Sequence, residues 1–292
     1  REYRVPAWFG RRPVGPHVSR PTTGIVGWAS TRTKGDIVSR SALGDLNENW
    51  ATWLQFTADH AAGGASQTFG AIRCSSVGVP VPLFNQAFVF EQTSIDDLTQ
   101  ATRWLSERNV PFWVTAPTSV ASAVADMAEP AGLDPTATTM PGMAYAPLAN
   151  LPAQADRDVE IVAVDQSAQL DDFAIVASEA FGAPLEAAGA LAPASTLGDD
   201  RCSWFLGYLD GDPVVCGQLL RTGDVAGVYS IGVLERFRRR GLGAAITASA
   251  LVAGRDSGCS IGVLQASPMG APVYDRMGFE TVTQYHSFAP TC

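Results

Sequence analysis

Hydrophobic and polar positions between residues 47 and 148 alternate between the spacing typical of helices and that of strands. Trp50, Trp53, Leu54 and Ala61 follow a helical period, and Ser94 is placed to cap a second helix that ends near Asn109. We predict a further short helix at 119–128 and strands at 84–90, 111–115 and 143–148. This order predicts an α/β unit with a central sheet.

A second alternation follows a linker that we predict at residues 147–158. It predicts strands at 160–164, 202–209, 214–220, 225–233 and 261–265, and a final strand pair at 280–288. Helices are predicted at 171–181, 185–191, from 241 onward and at 271–277. Both halves share the order strand, helix, strand, helix, strand, which is typical of a weak internal repeat. Two unrelated α/β domains would show the same order.

Composition narrows the class of protein. The 292 residues, 46% hydrophobic and 17% charged, predict a folded chain of more than one domain. No apolar run has the roughly 20 residues of a membrane helix, and the first residues do not follow the pattern of a signal peptide. The net charge of −9 disfavours binding to nucleic acid. We therefore expect a cytoplasmic protein with neither a nucleic-acid nor a membrane partner.

Cysteine and histidine are too few and too scattered to predict a metal site. The five cysteines form no CxxC pair, so we expect reduced thiols, and there are only three histidines. Residues 1–24 are basic and rich in proline, which predicts a loosely ordered extension to which we assign no function.

The stretch from 229 to 244 has the chemistry of an anion-binding site. A β-branched strand leads into arginines at 236, 238, 239 and 240, then into Gly241-Leu242-Gly243 and an alanine-rich helix. Glycine lets a ligand approach the backbone closely, and a helix N-terminus favours negative charge, so the stretch suits a pyrophosphate. Neither the Walker loop nor the dinucleotide fingerprint has this spacing. A solvated arginine turn is the alternative.

Two motifs in this half resemble those of the GNAT acetyltransferase superfamily. The run from Arg238 to Gly243 is similar to the family's phosphate loop Gln/Arg-x-x-Gly-x-Gly/Ala, although Glu235 stands where the family usually has proline. About thirty residues later, the run from Tyr274 to Phe279 is similar to its Tyr-x-x-x-Gly-Phe ending. The resemblance covers roughly residues 159–290. It implies an α/β (α+β) fold with a central mixed, mostly antiparallel sheet flanked by helices.

The resemblance also implies a co-substrate, acetyl-CoA or another acyl-CoA, and no metal. It gives cofactor contacts to Ile231, Val233, Arg238, Arg239, Arg240, Gly241, Gly243, Ala244 and Ser267. Within this set, the Val233 amide would stabilise the developing oxyanion, and Tyr274 would act as the general acid. Tyr274 could instead be a core aromatic residue, and Ser267 a helix N-cap.

A general base is not identified. The strand at 225–233 contains no acidic residue, although many family members place a carboxylate there. The nearest plausible carboxylates are Glu179 and Glu186, in the first helical region of this half, where they could act through water, and both have the character of solvated surface charges. Tyr229 and Ser230 could hold a chain of water molecules.

The first half resembles a second GNAT-like domain that lacks a phosphate loop. Between the strand at 84–90 and the next helix the chain contains no glycine, and it carries carboxylates at Glu91, Asp96 and Asp97. These charges would repel a pyrophosphate. We therefore predict a tandem arrangement, with a degenerate GNAT-like domain at 25–150 and a catalytic acetyl-CoA-binding domain at 159–292. An unrelated α/β domain is the alternative for the first half.

The resemblance implies an N-acetyltransferase. It would transfer an acetyl or other acyl group to a primary amine of a small-molecule or peptide acceptor, by direct attack in a ternary complex. A non-catalytic acyl-CoA-binding sensor or scaffold is the alternative function, because no carboxylate base is identified.

Overall fold

The computed structural model describes residues 40–152 and 158–291. The predicted extension at 1–24, part of the predicted linker and Cys292 lie outside this range. The first half contains α1 (Arg40–His60), β1 (Ala65–Phe69), β2 (Ile72–Ser76), β3 (Asn85–Val89), α2 (Ile95–Ser106), β4 (Trp113–Pro117), α3 (Thr118–Asp126) and β5 (Thr138–Tyr145).

The second half contains the remaining helices and strands. These are β6 (Glu160–Ala163), α4 (Ser167–Phe181), α5 (Leu185–Gly189), β7 (Cys202–Leu209), β8 (Asp212–Thr222), β9 (Val225–Val233), α6 (Leu242–Asp256), β10 (Ile261–Gln265), α7 (Ala271–Met277) and β11 (Glu280–Phe288). The predicted bounds of β7, β9, β10 and α7 are confirmed. The predicted final strand pair is wrong, because β11 is one strand that pairs with β4 and β5 rather than with itself.

All described strands form one 11-stranded sheet in the order β1-β2-β3-β4-β11-β5-β10-β9-β8-β7-β6. The pairs β3–β4 and β9–β10 are parallel and the others antiparallel, so the predicted mixed, mostly antiparallel sheet is confirmed. None of the helices in the described residues combines the length and the apolar composition of a membrane-spanning helix.

The two halves repeat the same element order and exchange their last strands. The series β1-β2-β3-α2-β4-α3-β5 has its counterpart in β7-β8-β9-α6-β10-α7-β11. In the sheet, β5 lies beside β10 of the second half, and β11 lies beside β4 of the first half. The strand exchange therefore crosses the predicted division at residues 150–159, and the division itself stays a prediction.

Helix α1 packs on strands from both halves. The ring of Trp50 meets Phe88 of β3 and Tyr285 of β11 edge-on, with centroids 4.8 and 4.6 Å away. One turn later, Trp53 stacks on Tyr229 of β9 at 4.5 Å. Buried aromatic contacts of this kind add to the free energy of unfolding beyond the area they bury. They place the first half directly against the strand that precedes the arginine and glycine motif.

Candidate functional site

A gap opens between β9 and β10. The two strands pair in parallel only where Val225–Gly227 faces Ile261–Val263. Beyond that point β10 stays paired with β5, while β9 stays paired with β8 on its other side. From residue 228 to residue 233, the β10-facing edge of β9 therefore has no strand partner among the described strands. An extended ligand can form backbone hydrogen bonds along such an edge.

The amide of Val233 points into this gap. The N–H of Leu234 donates to the carbonyl of Val214 at 3.1 Å, which makes these two residues a hydrogen-bonded pair. Because such pairs alternate in an antiparallel ladder, the neighbouring pair of Val215 and Val233 is not hydrogen-bonded. The Val233 N–H is directed away from β8, as an oxyanion donor at this position requires.

A β-bulge lies just before Val233. The register of β8 and β9 shifts between Cys216 and Gln218, and Ser230 has a positive φ of 53°. Bulges of this kind bend a strand and are common beside active sites. The bend and the early end of β9–β10 pairing occur in the same part of β9.

The N-terminus of α6 is open to an anion. Gly241 has a φ of 78° and Arg239 a φ of 65°, and no side chain caps the helix. The N–H of Ala245 makes the first helical hydrogen bond, to the carbonyl of Gly241 at 3.0 Å. The amides of Leu242, Gly243 and Ala244 precede that bond, so they lie in the turn whose N–H groups have no acceptor within the helix. Such a turn binds phosphate groups well.

The equivalent turn in the first half is closed. Ser94 caps α2, and its Oγ accepts the N–H of Asp97 at 3.1 Å. Asp96 and Asp97 also place two carboxylates in the first turn of that helix. The helix dipole is thus already complemented by negative charge. The predicted absence of a phosphate-binding loop in the first half stays a prediction.

The arginines of the motif have different surroundings. The Arg238 guanidinium donates to the carbonyl of Val233 at 3.2 Å and to that of Ala180 at 3.1 Å, so it ties the end of β9 to α4. Arg236 and Arg240 lie over the ring of Phe237, with their guanidinium carbons 5.0 and 5.2 Å from its centroid. The loop is held by these contacts in the described conformation.

Tyr274 lies on α7 and is buried. Burial raises the pKa of Tyr274 to about 12, while the nearby Thr247 hydroxyl of α6 acts in the opposite direction. Thr247 is itself fully buried, and its Oγ1 has no hydrogen-bond partner among the described residues. At neutral pH the phenol is protonated and able to donate.

Ser267 serves the turn before α7. Its Oγ accepts the N–H of Gly270 at 3.1 Å, in the manner of the capping role that the sequence left open. The hydroxyl can still donate a hydrogen bond of its own. The predicted cofactor contact of Ser267 stays a prediction.

One cavity of about 1290 Å³ joins these features. Of the predicted cofactor-binding and catalytic residues, it is bordered by Ile231, Val233, Arg238, Arg239, Gly241, Gly243, Ala244, Ser267 and Tyr274. Tyr229 and Ser230 border it as well. Arg240 does not border it, and neither do the candidate bases Glu179 and Glu186. Glu179 instead pairs at the surface with Arg236, at 3.1 Å.

Several cavity residues were not predicted from the sequence. Trp53, Phe84 and Met140 of the first half line the cavity together with Phe181 of α4 and Gln265 of β10. The Nε2 of Gln265 is buried and has no hydrogen-bond partner among the described residues. No local sequence signal marks these residues, because they reach the cavity through packing between distant segments.

The side chain of Tyr229 is hydrogen-bonded to a residue of the first half. Its hydroxyl donates to Oδ1 of Asn49 on α1, and burial raises its pKa well above the usual range. Asn49 is fully buried and in turn donates to the carbonyl of Leu220 at 3.2 Å and to the Thr222 hydroxyl at 2.8 Å. The tyrosine hydroxyl therefore has a protein partner in the described structure.

The comparisons with known proteins agree with this geometry. The family model described as Acetyltransferase (GNAT) family matches residues 170–279. No curated protein sequence matches significantly.

Solved structures similar to this chain share its fold at low sequence identity. A GCN5-related N-acetyltransferase from Kribbella flavida has a TM-score of 0.62 at 16% identity, covering 88% of this chain and 96% of its own. A GCN5-related N-acetyltransferase from Sphaerobacter thermophilus has a TM-score of 0.51 at 18% identity, covering 76% and 78%.

A tandem GNAT protein from the clavulanic acid biosynthesis pathway has a TM-score of 0.52 at 14% identity, and the match covers 84% of this chain and 94% of that protein. At these identities the likeness shows the fold alone, and the fold is that of GNAT proteins, one of them tandem. The family match and the fold agree with the open helix N-terminus and the gap beside β9. The chain therefore carries a GNAT acetyltransferase domain, which the family model places at residues 170–279.

Proposed function

We propose that this protein is an N-acyltransferase that transfers an acetyl group from acetyl-CoA to a primary amine. The observation that carries the proposal is the uncapped N-terminus of α6 beside the unpaired edge of β9, both within one cavity. The first can bind a pyrophosphate, and the second can pair with an amide-containing arm. Acetyl-CoA supplies the acyl group as a thioester.

In this proposal the first turn of α6 and the end of β9 have distinct tasks. The amides of Leu242, Gly243 and Ala244 bind the pyrophosphate, and the backbone of Ile231 and Val233 orients the pantetheine arm. The Val233 N–H donates to the thioester oxygen as negative charge develops there. One such donor typically lowers the activation free energy by about 3–4 kcal/mol.

Tyr274 donates the proton that the leaving sulfur needs. In the proposed reaction the amine nitrogen forms a bond to the acyl carbon, and the bond between that carbon and sulfur breaks. Tyr274 protonates the thiolate, the proton released by the amine passes to water, and the Tyr274 phenolate regains a proton from water. A phenol with the ordinary pKa of about 10 is already protonated at neutral pH, and burial raises the pKa of Tyr274 to about 12.

The first half, in this proposal, is a degenerate GNAT-like domain that binds no cofactor of its own. The Ser94 cap and the carboxylates of Asp96 and Asp97 support this, since they occupy the turn where a pyrophosphate would bind. Its contribution is to line the far part of the cavity with side chains from α1, β5 and the segment before β3.

Two measurements test the proposal. Addition of CoA at 100 times its dissociation constant should raise the free energy of unfolding by about 2.7 kcal/mol, seen as a thermal shift. Acetyl-CoA with a panel of primary amines should then release free thiol. Absence of CoA binding would overturn the proposal. Binding without thiol release for any amine would favour the alternative, an acyl-CoA-binding sensor.

A further inference from the structure

The far part of the cavity is apolar and is built by the first half. We define the apolar chamber as the part of the cavity lined by Trp50, Trp53, Val81, Leu83, Phe84 and Met140. These residues come from α1, β5 and the segment that precedes β3. Phe181 and Leu191 of the second half also line the cavity with apolar side chains.

The charged side chains that border the cavity all come from the second half of the chain, not from the apolar chamber. They are Glu235, Arg238, Arg239, Asp275 and Arg276, which belong to the loop before α6 and to α7. No residue that the first half contributes to the cavity, among those the structure describes, is ionisable. A second cationic group placed in the chamber would therefore lose its hydration without gaining a partner.

The polar atoms of the Trp53 and Tyr229 rings are already bonded within the protein. The Nε1 of Trp53 donates to Oε1 of Gln218 at 2.9 Å, and the Tyr229 ring stacked on it donates its hydroxyl to Asn49. Phe84 lies edge-on to Trp53 at 6.1 Å. The rings of Trp53, Tyr229 and Phe84 therefore offer a ligand carbon surface, which suits an aliphatic or aromatic body.

The cavity is large enough for two ligands. At about 1290 Å³ it exceeds the roughly 300–1,000 Å³ of a pocket for one drug-sized molecule. The chamber meets β9 at Tyr229, beside the bulge and the unpaired edge where the acyl group would end. Ser230 and Gln265, which are neutral, border the cavity there and can hold the reacting nitrogen.

We infer that the acceptor is a monoamine with an apolar body, such as an arylalkylamine, whose hydrocarbon part lies in the apolar chamber. This inference rests on the proposed function, since it names the acceptor class for the same site. It excludes polyamines, aminoglycosides and lysine-rich peptides as preferred acceptors. It also makes the chamber a site for the amine rather than for a long acyl chain.

The test compares 2-phenylethylamine with spermidine on the full chain. With acetyl-CoA, thiol release should have a kcat/KM at least about tenfold higher for 2-phenylethylamine, which corresponds to about 1.4 kcal/mol. Calorimetric titration of 2-phenylethylamine into the protein should show direct binding. Leu83→Lys should weaken that binding at least tenfold without changing the affinity for CoA. The matched control is Leu185→Lys, because Leu185 is exposed on α5 and does not border the cavity.

The outcomes separate the inference from the proposed function. Binding of 2-phenylethylamine that Leu83→Lys weakens, with no thiol release for any amine, supports the chamber while the enzymatic proposal fails. A preference for spermidine overturns the inference and leaves the acyltransferase intact. Failure of 2-phenylethylamine to bind, together with a preference for octanoyl-CoA over acetyl-CoA, also overturns it, because the chamber would then hold the acyl chain.

Discussion

The hydroxyl of Tyr229 lies 2.5 Å from Oδ1 of Asn49, and this buried hydrogen bond links two residues 180 positions apart in the sequence. It joins α1 of the first half to the strand that borders the cavity. Trp53, one turn further along α1, stacks on the same tyrosine ring. The first half therefore sets the position of β9 where the acyl group would lie.

Removal of that hydroxyl should destabilise the fold. In Tyr229→Phe, Oδ1 of Asn49 stays buried without its donor, and we expect the free energy of unfolding to fall by about 1–3 kcal/mol in urea denaturation. Tyr208→Phe is the control, because its hydroxyl donates to the half-exposed Asp172 at 3.0 Å, where water can replace it. Equal losses for the two variants would contradict the structural role given to Asn49.

Tyr274→Phe should separate catalysis from binding. We expect turnover to fall by about 10²–10⁴, because the leaving sulfur loses its proton donor, while the affinity for CoA is nearly unchanged. Tyr145→Phe is a suitable control, since Tyr145 is also buried but does not border the cavity. Thiol release and calorimetry measure the two quantities. An unchanged turnover in Tyr274→Phe would remove this residue from the mechanism.

Larger side chains at position 243 should lower the affinity for CoA more than smaller ones. A Cβ at this position would lie 3.6 Å from Val233 and 3.9 Å from Ile231, which is ordinary contact, so Gly243→Ala should fold normally. The added methyl groups of Gly243→Val would reach into the space beside the helix N-terminus. We expect the affinity for CoA to fall at least about tenfold in Gly243→Val and much less in Gly243→Ala. Similar affinities in both variants would contradict pyrophosphate binding at this turn.

Much of the second half could be predicted from the sequence, because the motifs that indicate it are formed by residues close together in the chain. Strand β9, the arginine loop and Gly241 follow one another directly, and the motif that ends at Phe279 follows within one further strand and helix. The positive φ of Gly241 and the uncapped α6 agree with what adjacent residues alone indicate.

The features that could not be predicted from the sequence depend on contacts between distant segments. The hairpin of β1 and β2 was missed, because β1 is a short, mostly polar edge strand with little periodicity. The apolar chamber could not be predicted, since Trp53, Phe84 and Met140 each have the pattern of ordinary core residues in their own segments. The sequence of β11 does not indicate that this strand pairs with the first half, because its alternation of buried and exposed residues would suit a partner strand from either half.

Alkaline pH should destabilise the protein through its buried thiols and phenols. Burial raises the pKa of Cys74, Cys202, Cys216 and Tyr274 to about 12. A group whose pKa is raised on folding stabilises the fold fully below its unfolded pKa and loses that contribution as pH rises toward the folded value. The free energy of unfolding should thus fall from about pH 9 upward.

The contribution of a single residue to this fall in the free energy of unfolding with pH can be measured by mutation. Each thiol should contribute up to about 1.4 kcal/mol per pH unit between roughly pH 9 and 12. Urea denaturation of Cys216→Ala from pH 8 to pH 11 should therefore show a shallower decline than the parent, whatever its stability at pH 8. Parallel curves would show that Cys216 ionises as readily in the folded state as in the unfolded one.

The exchange of β5 and β11 determines when the sheet of the first half can be completed during translation. Residues of β4 and β5 leave the ribosome long before β11, yet β11 lies between these two strands in the finished sheet. The edges of β4 and β5 that face β11 therefore stay unpaired until the chain has been translated through residue 288. Premature termination before β11 would leave these edges of β4 and β5 in the first half without a strand partner, so it would damage the first half as well as the second.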